Sequence, residues 1–478
     1  MLLRDSHIFI MGFVRKIISD LKKLKDKMKK LYMKTYGCQM NVYDSDRMQD
    51  LMNAIGYENS DTPAGADMVI INTCHIREKA SEKLFSDLGR IRPHKEKKDG
   101  QMIVAVAGCV AQAEGEEIFR RSNVVDIIVG PESYQTLPDL VGKVLRDKKK
   151  QINLEFTPDN KFDLLVEAKA GTGASSFVTV QEGCDKFCTF CVVPYTRGVE
   201  YSRDVMKVYD DARRLADKGV KEIYFLGQNV NAYHGNDEKG EAASLAKLIE
   251  KIATIDEIKR IRYTTSHPRD MADDLIAAHR DIDKLMPFLH LPIQSGSNNV
   301  LKMMNRKHTR QDYFKVIEKI RGARPDLGLS SDFIVGFPGE TDQDFADTMD
   351  LVRQIGFTQC YSFKYSPRQG TPSAESKLQV EEKVKEERLA ELQKLLSEQQ
   401  FEFNKKHKDL IFPVLFEKEA PKSSSKPSDK IQLWGKSPYL QSVIVDVENE
   451  IEAQKYFGQI ANVKILNARP SSLFGELI

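Results

Sequence analysis

The stretch QEGCDKFCTFCVVPYTRG, Gln181 to Gly198, carries Cys184, Cys188 and Cys191 in a C-x3-C-x2-C spacing, with no fourth cysteine or histidine nearby. A structural zinc site closes its coordination with four ligands. Three thiols fit a different object, a [4Fe–4S] cube held at three corners, whose remaining iron stays open to a ligand. Zinc or a chance grouping is the alternative. The position of the triplet just after an apolar run favours the cube.

Three more cysteines recur at a longer interval. The runs LYMKTYGC, DMVIINTC and MIVAVAGC end in Cys38, Cys74 and Cys109, and VVDIIVG is a fourth run without one. Amphipathic stretches such as IREKASEKLFSDLGRI lie between them, and this alternation predicts a parallel α/β sheet domain over residues 30–148. Ligands of open parallel sheets collect beyond the carboxyl ends of the strands. The three cysteines are therefore predicted to meet at one sheet edge. Singly, each reads as a small buried side chain; together, at equivalent positions on successive strands, they predict a second three-cysteine cluster. Cys360, in FTQCYSF, has no partner pattern and reads as core.

A second alternation spans residues 170–402. FVTV, EIYFLG, IRYTT, FLHLPI, SSDFIVGF and CYSFKYS are six strand candidates, separated by helices such as DVMKVYDDARRLADKG and QDYFKVIEKIRGA. Six β/α units predict a partial (β/α)6 TIM-like barrel, two units short of closure. Its open side suits a large substrate, and the C-x3-C-x2-C loop follows its first strand. Val380 to Gln400 reads as one long exposed helix laced with opposite charges. Residues 405–470 turn to strands and predict a small β-barrel, an architecture that grips RNA. EAKAGTGASS reads as a linker and PKSSSKPSD as a loop. Residues 1–29 set Phe13, Ile17, Leu21, Leu24 and Met28 on one helical face against lysines; they read as a solvated basic extension without assigned function.

With 72 basic and 70 acidic side chains, global charge does not mark a nucleic-acid binder, so any polyanion contact needs local patches. Seven unevenly spaced cysteines make a poor disulfide framework and suit a reducing cytoplasm. No apolar run reaches the ~18 residues of a membrane span.

GCDKFCTFC closely resembles the signature of radical S-adenosylmethionine enzymes. With the second cysteine set, and with TYGCQMNVYDS, NTCHIREKA, CVVPYTRGVEYSR, LGQNVNAYHG, HLPIQSGSNNVLKMMNR and DFIVGFPGET, residues 30–470 resemble the methylthiotransferase family of that superfamily. The resemblance implies two [4Fe–4S] clusters and S-adenosyl-L-methionine. Cys184, Cys188 and Cys191 would ligate the cluster that cleaves S-adenosylmethionine to a 5′-deoxyadenosyl radical. Cys38, Cys74 and Cys109 would ligate an auxiliary cluster holding the sulfur to be passed on. A methylthio group would replace hydrogen at C2 of an isopentenylated adenine, position 37 of tRNA, with both clusters facing one cavity. Implied with it are a TRAM-like C-terminal barrel, the tRNA anticodon stem-loop as partner and a flavodoxin- or ferredoxin-type electron donor. Nothing requires more than a monomer. Two rivals stay open: methylthiolation of a ribosomal protein, and a non-catalytic RNA-binding iron–sulfur redox sensor. GCQMN after the first strand favours the tRNA branch.

Weaker candidates complete the reading. Many superfamily members carry Gly-Gly-Glu after the second barrel strand; FLGQNVN stands there, so Gln228 and Asn229 are candidates for the methionine amino group, against an ordinary turn. Ser331, Asp332 and the turn GFPGE are placed for ribose or methionine, or are loop punctuation. His75 could bond the auxiliary cluster or be structural. Lys302, Arg306, Lys307 and Arg310 could hold phosphates or form a solvated face, and Trp434 and Tyr439 could stack on bases or fill the barrel core. No catalytic residue is assigned outside the clusters.

Overall fold

Fully buried parallel strands show as continuous apolar runs, because helices cover both sheet faces. The computed structural model, which describes residues 28–75, 80–156, 161–164, 173–420 and 430–478, bears this out. The chain up to residue 27, most of the expected linker and the loop at 421–429 lie outside those residues. The chain forms two units: residues 1–170 with Tyr195–Gly198, and residues 171–194 with 199–478.

In the first unit, strands β1 (Lys29–Thr35), β2 (Tyr57–Ser60), β3 (Met68–Thr73), β4 (Ile103–Gly108), β5 (Ile127–Val129) and β6 (Gln151–Asn153) form one parallel sheet, ordered β2-β1-β3-β4-β5-β6. Every residue of β3 and β4 is buried. Leu51 and Met52 of helix Gln39–Ala54 help close one face, and Leu84 and Leu88 of helix Ala80–Glu96 the other. The strand order reverses between β1 and β3, which opens a crevice at their carboxyl ends. The edge strands β2 and β6, with the polar sequences YENS and QIN, carry no apolar run, and β6 takes the sheet past the expected limit at residue 148.

All six expected barrel strands are present in the second unit. β7 (Ser175–Thr179) leads to a short antiparallel pair, β8 (Gln181–Glu182) with β9 (Tyr201–Ser202), that brackets the cysteine loop. β10 (Glu222–Leu226) and β11 (Arg260–Tyr263) form the parallel sheet β11-β10-β7; β12 (Phe288–His290), β13 (Gly328–Val335) and β14 (Gln359–Lys364) form β12-β13-β14. A parallel bridge, Ile261 to Leu285, joins the two arcs. Helices outside the arcs bury apolar stripes against them, two starting in capping boxes (Thr309 with Asp312, Thr341 with Asp344). The helix expected to be exposed, observed over Glu382–Lys405, instead buries Leu392 and Leu396 in this core, and Arg388 pairs with Glu340 and Asp342.

β15 (Ile411–Glu419), β16 (Ile431–Lys436), β17 (Ser442–Val447), β18 (Ile460–Ala468) and β19 (Ser472–Leu477) close into a five-stranded barrel, the last strand lying beyond residue 470. Closure leaves no strand edge exposed. Buried charge ties this barrel to the larger one. Glu222 of β10 accepts from Arg262 Nε at 2.8 Å, and Arg262 donates onward to the carbonyls of Ser437 and Pro438 at 3.0 and 2.9 Å. Arg260 donates to Lys436 O at 2.9 Å and to Pro413 O. Among the described residues no helix is long and apolar enough to cross a membrane.

Candidate active site

Strand register brings the first cysteine set together. Thr35 of β1 pairs with Asn72 of β3, and Asn72 with Ala107 of β4, so the three strands end level. Cys38, Cys74 and Cys109 follow three, two and two residues later. Two glycines make the approach possible. Gly37 has φ +122°, and a Cβ there would sit 2.2 Å from Cys74 Cβ; Gly108 has φ +88°, and a Cβ would meet Thr73 O at 2.3 Å. Both the positive φ and the space demand glycine. Asn41, on the first turn of the helix that Cys38 caps, donates from Nδ2 to Thr73 O at 2.9 Å, while Asn72 Nδ2 returns to Asn41 O at 2.8 Å. Thr73 Oγ1 donates to Ala107 O at 2.9 Å, so side chains lock all three strand ends.

The charge beside these thiols comes from a residue the sequence did not single out. Arg197 is buried and donates to the buried Asp44 carboxylate at 2.5 Å. The Cys38 thiol is drawn down to about 6 by its hydrogen bond with Cys74 and, against desolvation, by the Arg197 charge. Burial pushes the Cys109 thiol up, with Arg197 opposing. Asp44 Oδ1 is buried without a hydrogen-bond partner among the described residues.

The C-x3-C-x2-C loop is held from several directions. Asn305 Nδ2 donates to Phe187 O at 2.9 Å, which fixes the left-handed turn at Phe187 (φ +48°). Thr189 Oγ1 donates to Met303 O at 2.9 Å, and Ser373 Oγ donates to Thr189 O at 2.9 Å. Lys186 pairs with Asp270 at 2.7 Å, and Gly183 N–H donates to Gln228 Oε1 at 2.7 Å. Arg306 Nη1 donates to Cys188 Sγ at 3.5 Å. Burial pushes the Cys184 and Cys191 thiols up to about 11 and 12, so a ligand that replaces the proton relieves a buried group of its titration. Among the described residues no three His, Cys, Asp or Glu side chains stand close enough to hold one metal ion. Three cysteine thiols in each set are donors of the kind that hold an iron–sulfur cube.

The weaker candidates separate. Asn229 Nδ2 donates to Asp270 Oδ2 at 2.8 Å, and its buried Oδ1 has no hydrogen-bond partner among the described residues, an acceptor fit for an ammonium group. Gln228 is spent on Gly183. Ser331 lies against Tyr313 of the helix Arg310–Ala323, and its Oγ accepts from Ile293 N at 3.1 Å; the alternation of a strand puts Asp332 on the opposite face, 3.6 Å from His290 Nε2. In the basic run, Lys302 and Lys307 are exposed, but Arg306 is buried and donates to Pro292 O at 2.6 Å. Arg310 pairs with Asp350. Tyr439 stacks on His407 with centroids 5.1 Å apart and donates to Asp326 at 2.9 Å, which removes it from base stacking. Trp434 lies between Lys418 and Lys436, at 5.1 and 5.6 Å from its ring. Glu340 of GFPGE accepts from Gly336 N at 2.8 Å and closes its own turn. His75 is half-buried after Cys74, and Cys360 packs against the core as expected.

Comparison with known proteins supplies the family. Residues 178–352 match the Radical SAM superfamily, and residues 30–130 match a family described as uncharacterized, UPF0004. The tRNA-2-methylthio-N(6)-dimethylallyladenosine synthase of Rickettsia canadensis (strain McKiel) is 56% identical over 453 residues, 94% of this chain and 99% of that protein. The enzyme of the same name from Maricaulis maris (strain MCS10) is 54% identical, over 94% of this chain and 97% of its own. Among solved structures, the radical S-adenosylmethionine methyltransferase TsrM from Kitasatospora setae covers 73% of this chain and 74% of its own at TM-score 0.54 and 11% identity. The cobalamin-dependent S-adenosylmethionine radical enzyme OxsB covers 77% of this chain and 56% of its own at TM-score 0.52 and 12% identity. These two likenesses establish the fold. Near-full-length identity above one half goes further: the chain belongs to the tRNA-2-methylthio-N(6)-dimethylallyladenosine synthase family of the radical S-adenosylmethionine superfamily.

Proposed function

We propose that this protein installs a 2-methylthio group on N6-dimethylallyladenosine at position 37 of tRNA, using two S-adenosylmethionine molecules and two [4Fe–4S] clusters. The observation that carries the reading is two three-cysteine sets, one at the ends of three parallel strands and one in the loop after the first barrel strand, in a chain 56% identical to synthases of that name over nearly their whole length. Cys184, Cys188 and Cys191 would hold one cluster, and Cys38, Cys74 and Cys109 the other. When bound, these groups supply the electron that splits S-adenosylmethionine to a carbon radical, and the sulfur that is transferred.

The chain's own share is positioning. Asn305, Thr189 and Ser373 hold the C-x3-C-x2-C loop in one conformation, and Arg306 sets a positive charge on Cys188 Sγ. Asn229 Oδ1 would accept from the methionine ammonium, with Gln228 behind it bracing the loop at Gly183. Asp332, and not Ser331, would face the ribose. The Asp44–Arg197 pair sets the field beside Cys38 and Cys109. In the C-terminal barrel, Trp434 with Lys418 and Lys436 would contact the anticodon stem-loop. A flavodoxin- or ferredoxin-type protein would deliver electrons to a monomer working in the cytoplasm.

Nucleoside analysis of tRNA from a strain lacking the protein, before and after its restoration, tests the assignment. The 2-methylthio mark on N6-dimethylallyladenosine should vanish and return. Loss of a ribosomal-protein mark instead would transfer the assignment to that substrate.

A further inference from the structure

The last strand of the partial barrel, β14, has two unlike faces. On one, Cys360 packs into the main core with Leu392 and Leu396 of helix Glu382–Lys405. On the other, Tyr361 and Phe363 remain 49% and 53% exposed. Pairing sets these two rings opposite Asp332 and Ile334 of β13. His290 of β12 extends the same face, its ring edge-on to Tyr361 with centroids 6.2 Å apart. Ile334 packs on Val300, Met304, Phe337 and Tyr365, the cluster that also receives Phe190 of the cysteine loop. The two exposed aromatics thus stand on the sheet face that runs up to that loop. Among the described residues β14 has no neighbour on its far side in the sheet, so the face lies at the open edge of the incomplete barrel.

We infer that Tyr361 and Phe363 are the seat of the target base, Tyr361 stacking on the adenine and Phe363 on its dimethylallyl chain, and that they set the preference for a prenylated adenosine. This rests on the substrate reading given above. The chemistry and the place both select this occupant over the adenine of S-adenosylmethionine. Two rings about 7 Å apart along a strand offer one surface for a flat base and a second for an uncharged hydrocarbon branch. S-adenosylmethionine has no such branch. A base still attached to RNA must enter from an open edge, which a free small molecule does not need.

The test uses reconstituted holoenzyme and two synthetic anticodon stem-loops, one carrying N6-dimethylallyladenosine and one plain adenosine. Tyr361→Ala should raise the KM for the prenylated RNA about 5- to 150-fold, the range that loss of one stacking platform costs, and Tyr361→Phe should restore it. Phe363→Ala should cut the wild-type preference for prenylated over plain RNA by about tenfold or more. Both side chains are half exposed, so unchanged thermal midpoints are expected; where one falls, Phe363→Leu supplies the same comparison in a milder form. Variants whose KM stays within about twofold of wild type overturn the inference. So does a rise confined to the KM for S-adenosylmethionine, which would assign the rings to that ligand. Wild-type enzyme that leaves the prenylated stem-loop unmodified would instead sink the substrate reading, independently of either variant.

Discussion

Arg197→Met is the sharpest probe of how the Cys38–Cys74–Cys109 site is built. Arg197 and Asp44 are 3% and 2% exposed and bonded at 2.5 Å, and the second carboxylate oxygen has no hydrogen-bond partner among the described residues. Removing the guanidinium strands a carboxylate in the interior beside Cys38 and Cys109. Breaking a buried pair from one side costs about 3–5 kcal/mol, because the desolvated partner keeps its charge. At 1.4 kcal/mol per factor of ten, the opened population of this unit should rise by about two to four orders of magnitude. Asp44→Asn strands the cation and should cost a similar amount. The double variant removes both charges, so the single costs should fail to add by at least about 2 kcal/mol. Urea unfolding of the four proteins gives the cycle. Iron and sulfide analysis with Mössbauer spectra gives the consequence: Arg197→Met should keep the cluster of Cys184, Cys188 and Cys191 and lose the other. Single costs that add within about 0.5 kcal/mol, or an undiminished iron content, would refute the reasoning.

Other expectations test separate parts of the molecule. Cys188→Ala should abolish 5′-deoxyadenosine production, whereas Cys74→Ala should retain it and lose methylthio transfer; loss of both products in Cys74→Ala would contradict the division of labour. Glu222→Gln leaves the buried Arg260 and Arg262 without their carboxylate, so hydrogen exchange in β15 and β16 should accelerate as the junction loosens by about 3 kcal/mol or more. Equal exchange would show the carbonyl contacts suffice. Burial holds the His279 imidazole down at about 3, with Arg324 adding to the effect, while the unfolded chain protonates near 6.5. The folded state therefore resists the proton. The His279 contribution should be intact above pH 6.5 and fall by about 1.4 kcal/mol per pH unit below it, about 2 kcal/mol by pH 5. Urea midpoints of wild type and His279→Gln at pH 7 and pH 5 check the sign: the wild type should lose about 2 kcal/mol more than the variant between the two, the remainder coming from the other buried histidines.

Much of this architecture is legible from one chain because its signals are local. β3 and β4 announce themselves since a strand covered on both faces must be apolar throughout. The C-x3-C-x2-C spacing and the cysteines closing β1, β3 and β4 depend only on neighbours a few residues away. β2 and β6 escape notice because short polar edge strands bury little and leave no pattern. The charge-laced helix Glu382–Lys405 conceals its burial for a related reason: Lys385 and Arg388 cover core with their stems while their charged ends find carboxylates.

The amino-acid order by itself determined most element types, the strand-end positions of Cys38, Cys74 and Cys109, the tight spacing of Cys184, Cys188 and Cys191, and hence the chemistry they can support. Only the tertiary structure decided that Arg197 meets Asp44 across 153 positions of chain, that Arg306 serves Cys188 and not phosphate, that Ser331 turns away while Asp332 turns in, and that Tyr361 shares a face with His290. Periodicity records which side of its own element a residue occupies. What lies opposite depends on register and crossover between segments far apart in the chain, and single-chain pattern holds no record of those.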